Sequence, residues 1–483
     1  MTRSGLQSAV SVKTTQAVST STTSTISQRR KGVRYADMPA VLRDAVVVTK
    51  KLGIPYLWID SLCILQDDTS DWEKQYPQID RIYGHAEVTI LAASSTSCRE
   101  SFLRPETPST LLPLISTQRP GFGGLLLINF WKCSVLPGER NSRSVFATMD
   151  LELFASRLAG RGWAFQERIL STRRIVFGME NVYFNCGETT CASLGKPPFA
   201  HRNEYGIDLV RDMPVVSELY NAWSDILDQF GHLSMDGFTE PTDLLPAISG
   251  LAAYFGGLLE DKYCAGHWLR DLEIGLLWYR KKSSRDLKTS YLDGLCSPTP
   301  YTVPSWSQLG KTGRHLGRVY FQSIFRDYNR GVPKINAKIR LSGENLFGAI
   351  QDAQLKVHNH CMCLQNAKTT TLKLVSVRLY EQWHLEFIRK DKSIRWCDAW
   401  IDYNLPESEA YEDAQEWKWM LLGVRSKGLA NTKHGKAQVF GLLLRQAKDF
   451  KWYRIGIFRS HLDHPLLLQD FIEMGGIETI TIH

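Results

Sequence analysis

Apolar residues in the first third of the chain alternate between two spacings. From Asp37 to Gly53 (DMPAVLRDAVVVTKKLG) they fall at Val41, Leu42, Ala45, Val48 and Leu52. This three- and four-residue period marks a helix with one buried face. Asp37 reads as its N-cap, with Pro39 in the first turn, and Gly53 as its C-cap. The run Tyr56–Asp60 (YLWID) is short and continuous, as in a buried strand. Helical spacing returns over Asp71–Tyr83, where Trp72, Tyr76, Ile79, Ile82 and Tyr83 share a face. A second apolar strand, EVTILAAS, covers Glu87–Ser94. Helix, strand, helix, strand predicts right-handed crossovers and a parallel sheet with flanking helices.

Beyond this unit the pattern changes. Residues 104–124 (RPETPSTLLPLISTQRPGFGG) are rich in Pro, Gly, Ser and Thr and read as a connection. Short strands are expected near 124–131 and 143–149. A helix from Trp163 to Leu170 leads into a hairpin, RRIVF and NVYFNC, turned at GMEN. Three helical stretches follow within 208–283: LYNAWSDILDQF, LLPAISGLAAYFGGLL and WLRDLEIGLLWYR. From about 316 to 460 the chain is strand-rich. The organisation expected is a polar Ser/Thr-rich tail (1–30), an α/β domain (31–190), a helical region (200–290) and a strand-rich C-terminal region (300–483). No internal repeat and no glycine-rich phosphate loop stands out.

Composition narrows this reading. With 483 residues, 43% hydrophobic and 14 Trp, the chain can bury more than one core. The net charge of +8 is spread among interleaved acids and bases, so no basic footprint for nucleic acid is expected. No apolar run reads as the ~18–20 residues of a membrane span. Ten scattered cysteines without an export signal indicate reduced thiols and a cytoplasmic setting. The acid-poor, Ser-rich start also has the composition of a mitochondrial transit peptide, the lesser alternative to a disordered tail.

Candidate chemistry gathers after YLWID. Asp60 ends a strand, and ligands of open α/β sheets sit beyond strand carboxyl ends. Asp60, Ser61, Asp67 and Asp68 would lie at that edge, to bind a ligand or act as acid and base; the alternative is that they satisfy turn N–H groups. Glu73 closes an S-x-x-E capping box with Ser70, or serves as a charge-stabilising glutamate. Glu167, amid Arg161, Arg168 and Arg173, is an ion-pair partner or part of a ligand-binding cluster. Cys63 lies between Leu62 and Ile64 with no His at a telling position, as in a buried, inert thiol. The cluster HNHCMC (His358, His360, Cys361, Cys363) splits its ligands between strand faces, and no second pair completes a zinc site. His85 and His267 are lone histidines beside apolar segments. No metal site and no resident cofactor are expected.

These residues carry a family resemblance. The block YLWIDSLCILQDD, followed by Asp71, Trp72, Gln75, Ile82, Tyr83, Ala86, Thr89, Ile90 and Ala92, resembles the fungal heterokaryon incompatibility (HET) domain. Its motif positions are Tyr56, Trp58, Asp60, Cys63, Gln66, Asp67, Asp68, Trp72 and Tyr83. A second block matches at Arg161, Gly162, Trp163, Gln166, Glu167, Arg168, Leu170 and Ser171. Later pieces, DLLPAISGLA (243–252), AGHW (265–268), PSWS (304–307) and WYRIGIF (452–458), are similar to proteins carrying this domain. The chain departs from the family at three places. A first strand of the form Y-x-x-L-S-Y-x-W-G is missing, which implies a truncated start and a sheet lacking one strand. Gln75 stands where many relatives have Glu, and Gln308 where a second Trp is usual. The resemblance implies fungal nonself recognition and programmed cell death through self-association or partner binding. A proposed distant kinship to TIR domains implies an alternative: cleavage of NAD as substrate, with Asp60 and Glu73 as the acids. A third reading is a degenerate member with neither output.

Overall fold

A computed structural model describes residues 7–11, 20–103, 110–115, 123–128, 152–153, 156–179, 181–186, 189–193, 210, 213, 215–233, 238, 240–280, 288–296, 298, 300–311, 316–318, 334–363, 370–377, 382–389, 394–403, 409, 413–426, 437–460 and 475–483. The chain packs as two units. The N-terminal unit comprises Met1–Trp72, Arg81–Gly160 and Glu167–Leu209; the C-terminal unit comprises Glu73–Asp80, Arg161–Gln166 and Val210–His483.

The N-terminal unit is built on a six-stranded sheet. Its strands are β1 (Gln7–Ser11), β2 (Tyr56–Ile59), β3 (Val88–Leu91), β6 (Arg173–Phe177), β7 (Val182–Cys186) and β8 (Thr190–Ala192). Their order is β2-β1-β3-β6-β7-β8. β1 pairs in parallel with β2 and β3, and β3 with β6, whereas β7 and β8 run antiparallel to their neighbours. The expected parallel sheet is therefore mixed, four parallel strands carrying an antiparallel edge. A core of Val41, Leu42, Ala45, Val48, Ile59, Ile90, Ala92 and Phe102 joins the helix Ala40–Lys51 to it.

Four expectations change. The strand expected to be missing is present: β1 falls inside the supposed 1–30 tail and occupies an interior place in the sheet. QSAVS has no apolar period, and a strand bonded on both edges draws its stability from context rather than propensity. Ser21 is buried as well; its N donates to Ser61 O (2.8 Å) and its O accepts from Gln66 N (2.8 Å). The first helix starts at Ala40 rather than after Asp37. Pro39 drives Met38 into an extended conformation (φ −76°, ψ 141°), so Asp37 ends a separate 3-10 turn and pairs with Arg34 at 2.8 Å. Gly53 ends that helix as expected, at φ +70°. The helix expected over Asp71–Tyr83 is broken into Thr69–Gln75, a 3-10 turn Tyr76–Gln78, and Ile79–Gly84, because Pro77 contributes no N–H. The Pro-rich stretch read as a connection contains β4 (Thr110–Ile115), paired antiparallel with β5 (Gly123–Ile128). The strand expected near 143–149 lies outside the described residues.

In the C-terminal unit the helical and strand-rich regions pack together. The helix Val216–Leu233 buries Leu219, Ala222, Trp223, Ile226, Leu227 and Phe230 along one face. The run Pro241–Leu259, 19 residues, is apolar and long enough for a membrane span by length and composition, contrary to expectation. It is largely buried within the protein, as a core helix is: Leu251, Ala252, Phe255 and Leu259 are all inside. WLRDLEIGLLWYR is not one helix. It passes from a hairpin, β9 (Tyr263–Cys264) with β10 (His267–Trp268), through short turns to β11 (Trp278–Arg280), which pairs with β12 (Leu316–Arg318).

The strand-rich part is one nine-stranded sheet: β13 (Lys334–Leu341), β14 (Ile350–Cys363), β15 (Thr370–Val377), β16 (Gln382–Arg389), β17 (Ile394–Ile401), β18 (Lys418–Ser426), β19 (Ala437–Gln446), β20 (Trp452–Ser460) and β21 (Gly475–Ile482). β21 pairs with both β14 and β20, so β14, β18, β19, β20 and β21 close a ring. Trp417, Trp419, Tyr403, Leu443, Ile455 and Phe458 fill its core. Arg454, on β20, is wholly buried. It pairs with Asp402 at 2.6 Å, lies 3.4 Å from the centre of the Trp278 ring, and donates to Trp278 O.

Candidate functional site

The first sequence block forms a closed polar loop at the end of β2. Asp60 opens a single turn of helix, Asp60–Cys63, and its Oδ1 accepts from the N–H of Ser61 (2.7 Å). Ser61 is buried, and its Oγ has no hydrogen-bond partner. Gln66 Nε2 donates to Ile64 O (3.0 Å). Asp67 accepts from Thr23 N (2.8 Å) and Thr23 Oγ1 (2.7 Å). These bonds hold its carboxyl below the usual carboxylate range. Asp68 Oδ1 caps the helix Thr69–Gln75 by accepting from Ser70 N (2.9 Å), and Asp71 Oδ2 accepts from Leu65 N (2.8 Å). Asp68 is thus the cap, in place of the expected Ser70–Glu73 box. Trp58 and Tyr83 meet edge to face at 5.5 Å between ring centres.

Strand order adds a location that the sequence reading missed. The order reverses between β1 and β3, and in open sheets the crevice opens at the carboxyl ends of such a pair. On the β3 side this edge carries Ala92, Ala93 and Ser94, all buried, with Ser94 N donating to Phe177 O (2.8 Å). Only the pairing of β1 could have singled out this edge rather than that of β2.

The second block is divided between the units. Glu167 and Arg168 lie buried in the N-terminal unit, where the Glu167 carbonyl accepts from Ser171 Oγ (2.6 Å) and Arg168 O accepts from Arg174 Nη1 (3.2 Å). Arg173, expected beside Glu167, pairs with Glu87 at 3.6 Å on the surface.

Arg161, Gly162, Trp163 and Gln166 belong to the C-terminal unit, as do Glu73 and Gln75. Here the family blocks interlock. Trp163 stacks on Tyr76, with ring centres 4.8 Å apart, and donates from Nε1 to Asp243 Oδ2 (3.1 Å). Burial, opposed by that hydrogen bond and reinforced by Glu240, raises the Asp243 carboxyl; burial, then Asp243, raises the Tyr76 phenol. Gly162 lies against Phe238 so closely that a Cβ would fall 1.9 Å from the ring. Gln166 is fully buried and accepts through Oε1 from Gly250 N (3.1 Å). Glu73 packs over Gly343, where a Cβ would fall 2.1 Å from its Oε1.

The later pieces meet in the same unit. Ser307 Oγ donates to Ala265 O (2.7 Å), Gln308 N donates to His267 Nε2 (3.3 Å), and Gln308 is bonded to Asp228. AGHW and PSWS therefore form one packed corner, and buried His267 is a structural acceptor in it.

The remaining candidates are placed as follows. Cys63 is exposed, yet desolvation of its thiol, with Asp60 adding to it against a hydrogen bond at Ile59, raises it above its ordinary value. Cys361 is buried with its thiol pushed up to about 12 by burial, while His358 is exposed and bonded to Thr479 Oγ1 (2.7 Å). His85 is exposed and its Nδ1 is 2.9 Å from Arg81 O. Among the described residues no group of three His, Cys, Asp or Glu side chains is arranged to hold a metal.

Against known proteins, residues 9–167 match the family model Heterokaryon incompatibility protein (HET). No curated protein and no solved structure matches the chain. The match takes in β1 from Ala9 onward, the YLWID loop and the second block as far as Glu167, so it begins well inside the segment read as a tail. Residues 9–167 of the chain form a heterokaryon incompatibility (HET) domain.

Proposed function

We propose that this protein is an effector of fungal nonself recognition that triggers programmed cell death through self-association or binding of a protein partner, acting in the cytoplasm. The observation that carries this reading is the use made of the acids in the first block. Asp60, Asp67, Asp68 and Asp71 each bind a backbone N–H of their own loop or of residue 23. Carboxylates used this way build a rigid surface, and rigidity is what a recognition surface needs. The family match over 9–167 supplies the incompatibility setting.

A second reading is a TIR-like NAD glycohydrolase, with Asp60 and, separately, Glu73 as the acids to test. The strand order β2-β1-β3 favours it, because open sheets of that order bind nucleotides at the switch point. The two readings separate on an Asp60→Ala/Glu73→Ala chain expressed in a fungal host beside the native one. The scaffold reading expects both soluble versions to kill; loss of killing with the double substitution supports the enzyme. No effect from either soluble version, in hosts carrying any candidate partner, supports a degenerate member.

A further inference from the structure

Charges interleaved along a sequence are sorted when the segment becomes a strand, because alternate residues face opposite sides. β13, β14 and β21 lie side by side in the C-terminal sheet, and their register carries out this sorting. One side is apolar and buried: Ala337, Ala353, Leu355, Val357, Ile480 and Ile482. The other side faces solvent. Across it Lys334 stands opposite His358, Lys338 opposite Gln354 and Arg340 opposite Asp352, while Lys356 lies between Asn336 and Thr481. Lys334, Lys338, Arg340 and Lys356 are exposed, and none of them forms an ion pair with a described residue. Asp352 is the one acid that the described residues of these strands place on this side. Glu478 alternates to the opposite side, where it pairs with Lys418.

Apolar residues border this basic face. Ile477, opposite His360, is 60% exposed, and Leu346, in the turn from β13 to β14, is 69% exposed. The charged rows span about 20 Å along the strands and about 10 Å across them. The face holds no Phe, Tyr or Trp, so it offers no platform on which a base could stack. A bilayer surface with anionic headgroups matches both the charge and its apolar border.

We propose that this face is a peripheral membrane-binding surface. Lys334, Lys338, Arg340 and Lys356 take anionic lipid headgroups, and Leu346 and Ile477 enter the headgroup boundary. Such binding requires no spanning helix, and it stands independently of the effector reading.

The test is cosedimentation of the full chain with vesicles of phosphatidylcholine, alone or mixed with phosphatidylserine. Binding is expected to the mixed vesicles only, and to weaken as salt is raised. Lys338→Gln/Lys356→Gln should weaken it about 25-fold, at about fivefold for each cation lost. Lys334→Gln/Arg340→Gln should do the same at the other cations of the face. Lys50→Gln/Lys51→Gln, on exposed lysines of the helix Ala40–Lys51, makes an equal change in net charge and should leave binding unchanged. Leu346→Ser/Ile477→Ser should weaken the binding that persists at high salt. No binding to the mixed vesicles overturns the proposal, as do equal losses from Lys50→Gln/Lys51→Gln and the two face variants. Capture of single- or double-stranded DNA through the same four cations, with vesicles unbound, makes the face a nucleic-acid surface and overturns it too. Binding unmoved by Leu346→Ser/Ile477→Ser overturns the part given to the apolar border.

Discussion

Asp67 is exposed, yet it ties residue 23 to the loop after β2 with two hydrogen bonds. Because its folded carboxyl lies below the ordinary value of 3.8, the stability it contributes is present above that value and is lost as pH falls through the folded one. The protection factors of the amides at residues 21–25 should therefore fall in acid for the native chain, and be low at all pH values in Asp67→Ala. Asp243 has the opposite sign. Its folded carboxyl is raised, so stability is greatest below 3.8 and declines as pH rises through the folded value. Asp243→Asn should raise the thermal midpoint near about pH 7 relative to the native chain and leave it unchanged near about pH 4, by removing the charge that ionises there. Gly162 is set by space: a Cβ would strike the Phe238 ring, and Gly162→Ala should cost about 1–3 kcal/mol in denaturant unfolding. The motif residues were legible in the sequence, but their partners were not. Nothing in RGWAFQ and DLLPAISG announces that Trp163 bonds to Asp243 or Gln166 to Gly250, because a hydrogen bond between residues 80 or more apart leaves no local pattern.

At the scale of elements, period-based reading succeeded where one face is buried and the run is long. The helix Ala40–Lys51, strands β2 and β3, and the β6–β7 hairpin follow from it. It failed where context supplies the stability. QSAVS becomes an interior strand through ladder bonds to β2 and β3, and Pro77 divides a helix whose apolar face runs on unbroken. The ring closed by β21 was likewise invisible, since closure depends on which strands meet. Buried Arg454, on β20, pairs with Asp402 and stacks on Trp278. Removing one partner leaves an uncompensated buried charge, so Asp402→Ala should cost about 3–5 kcal/mol in the C-terminal unit. A denaturant midpoint for Asp402→Ala equal to that of the native chain would contradict this.

For the whole molecule, the family match and the packing units do not coincide: residues 9–167 contribute two short segments to the C-terminal unit. The sequence resemblance was enough to identify the domain, and the structure adds that its motif residues serve mainly to build loops and interlocks. That distribution is the basis for reading the protein as a scaffold that acts by association, with its acids occupied in holding backbone. The measurement that tests this most directly is cellular NAD, followed through the onset of death in a fungal host expressing the native chain. Death with NAD at control levels until viability falls is the predicted result. A collapse of NAD that precedes death, and that Asp60→Ala/Glu73→Ala abolishes, would contradict it and make the chain an enzyme.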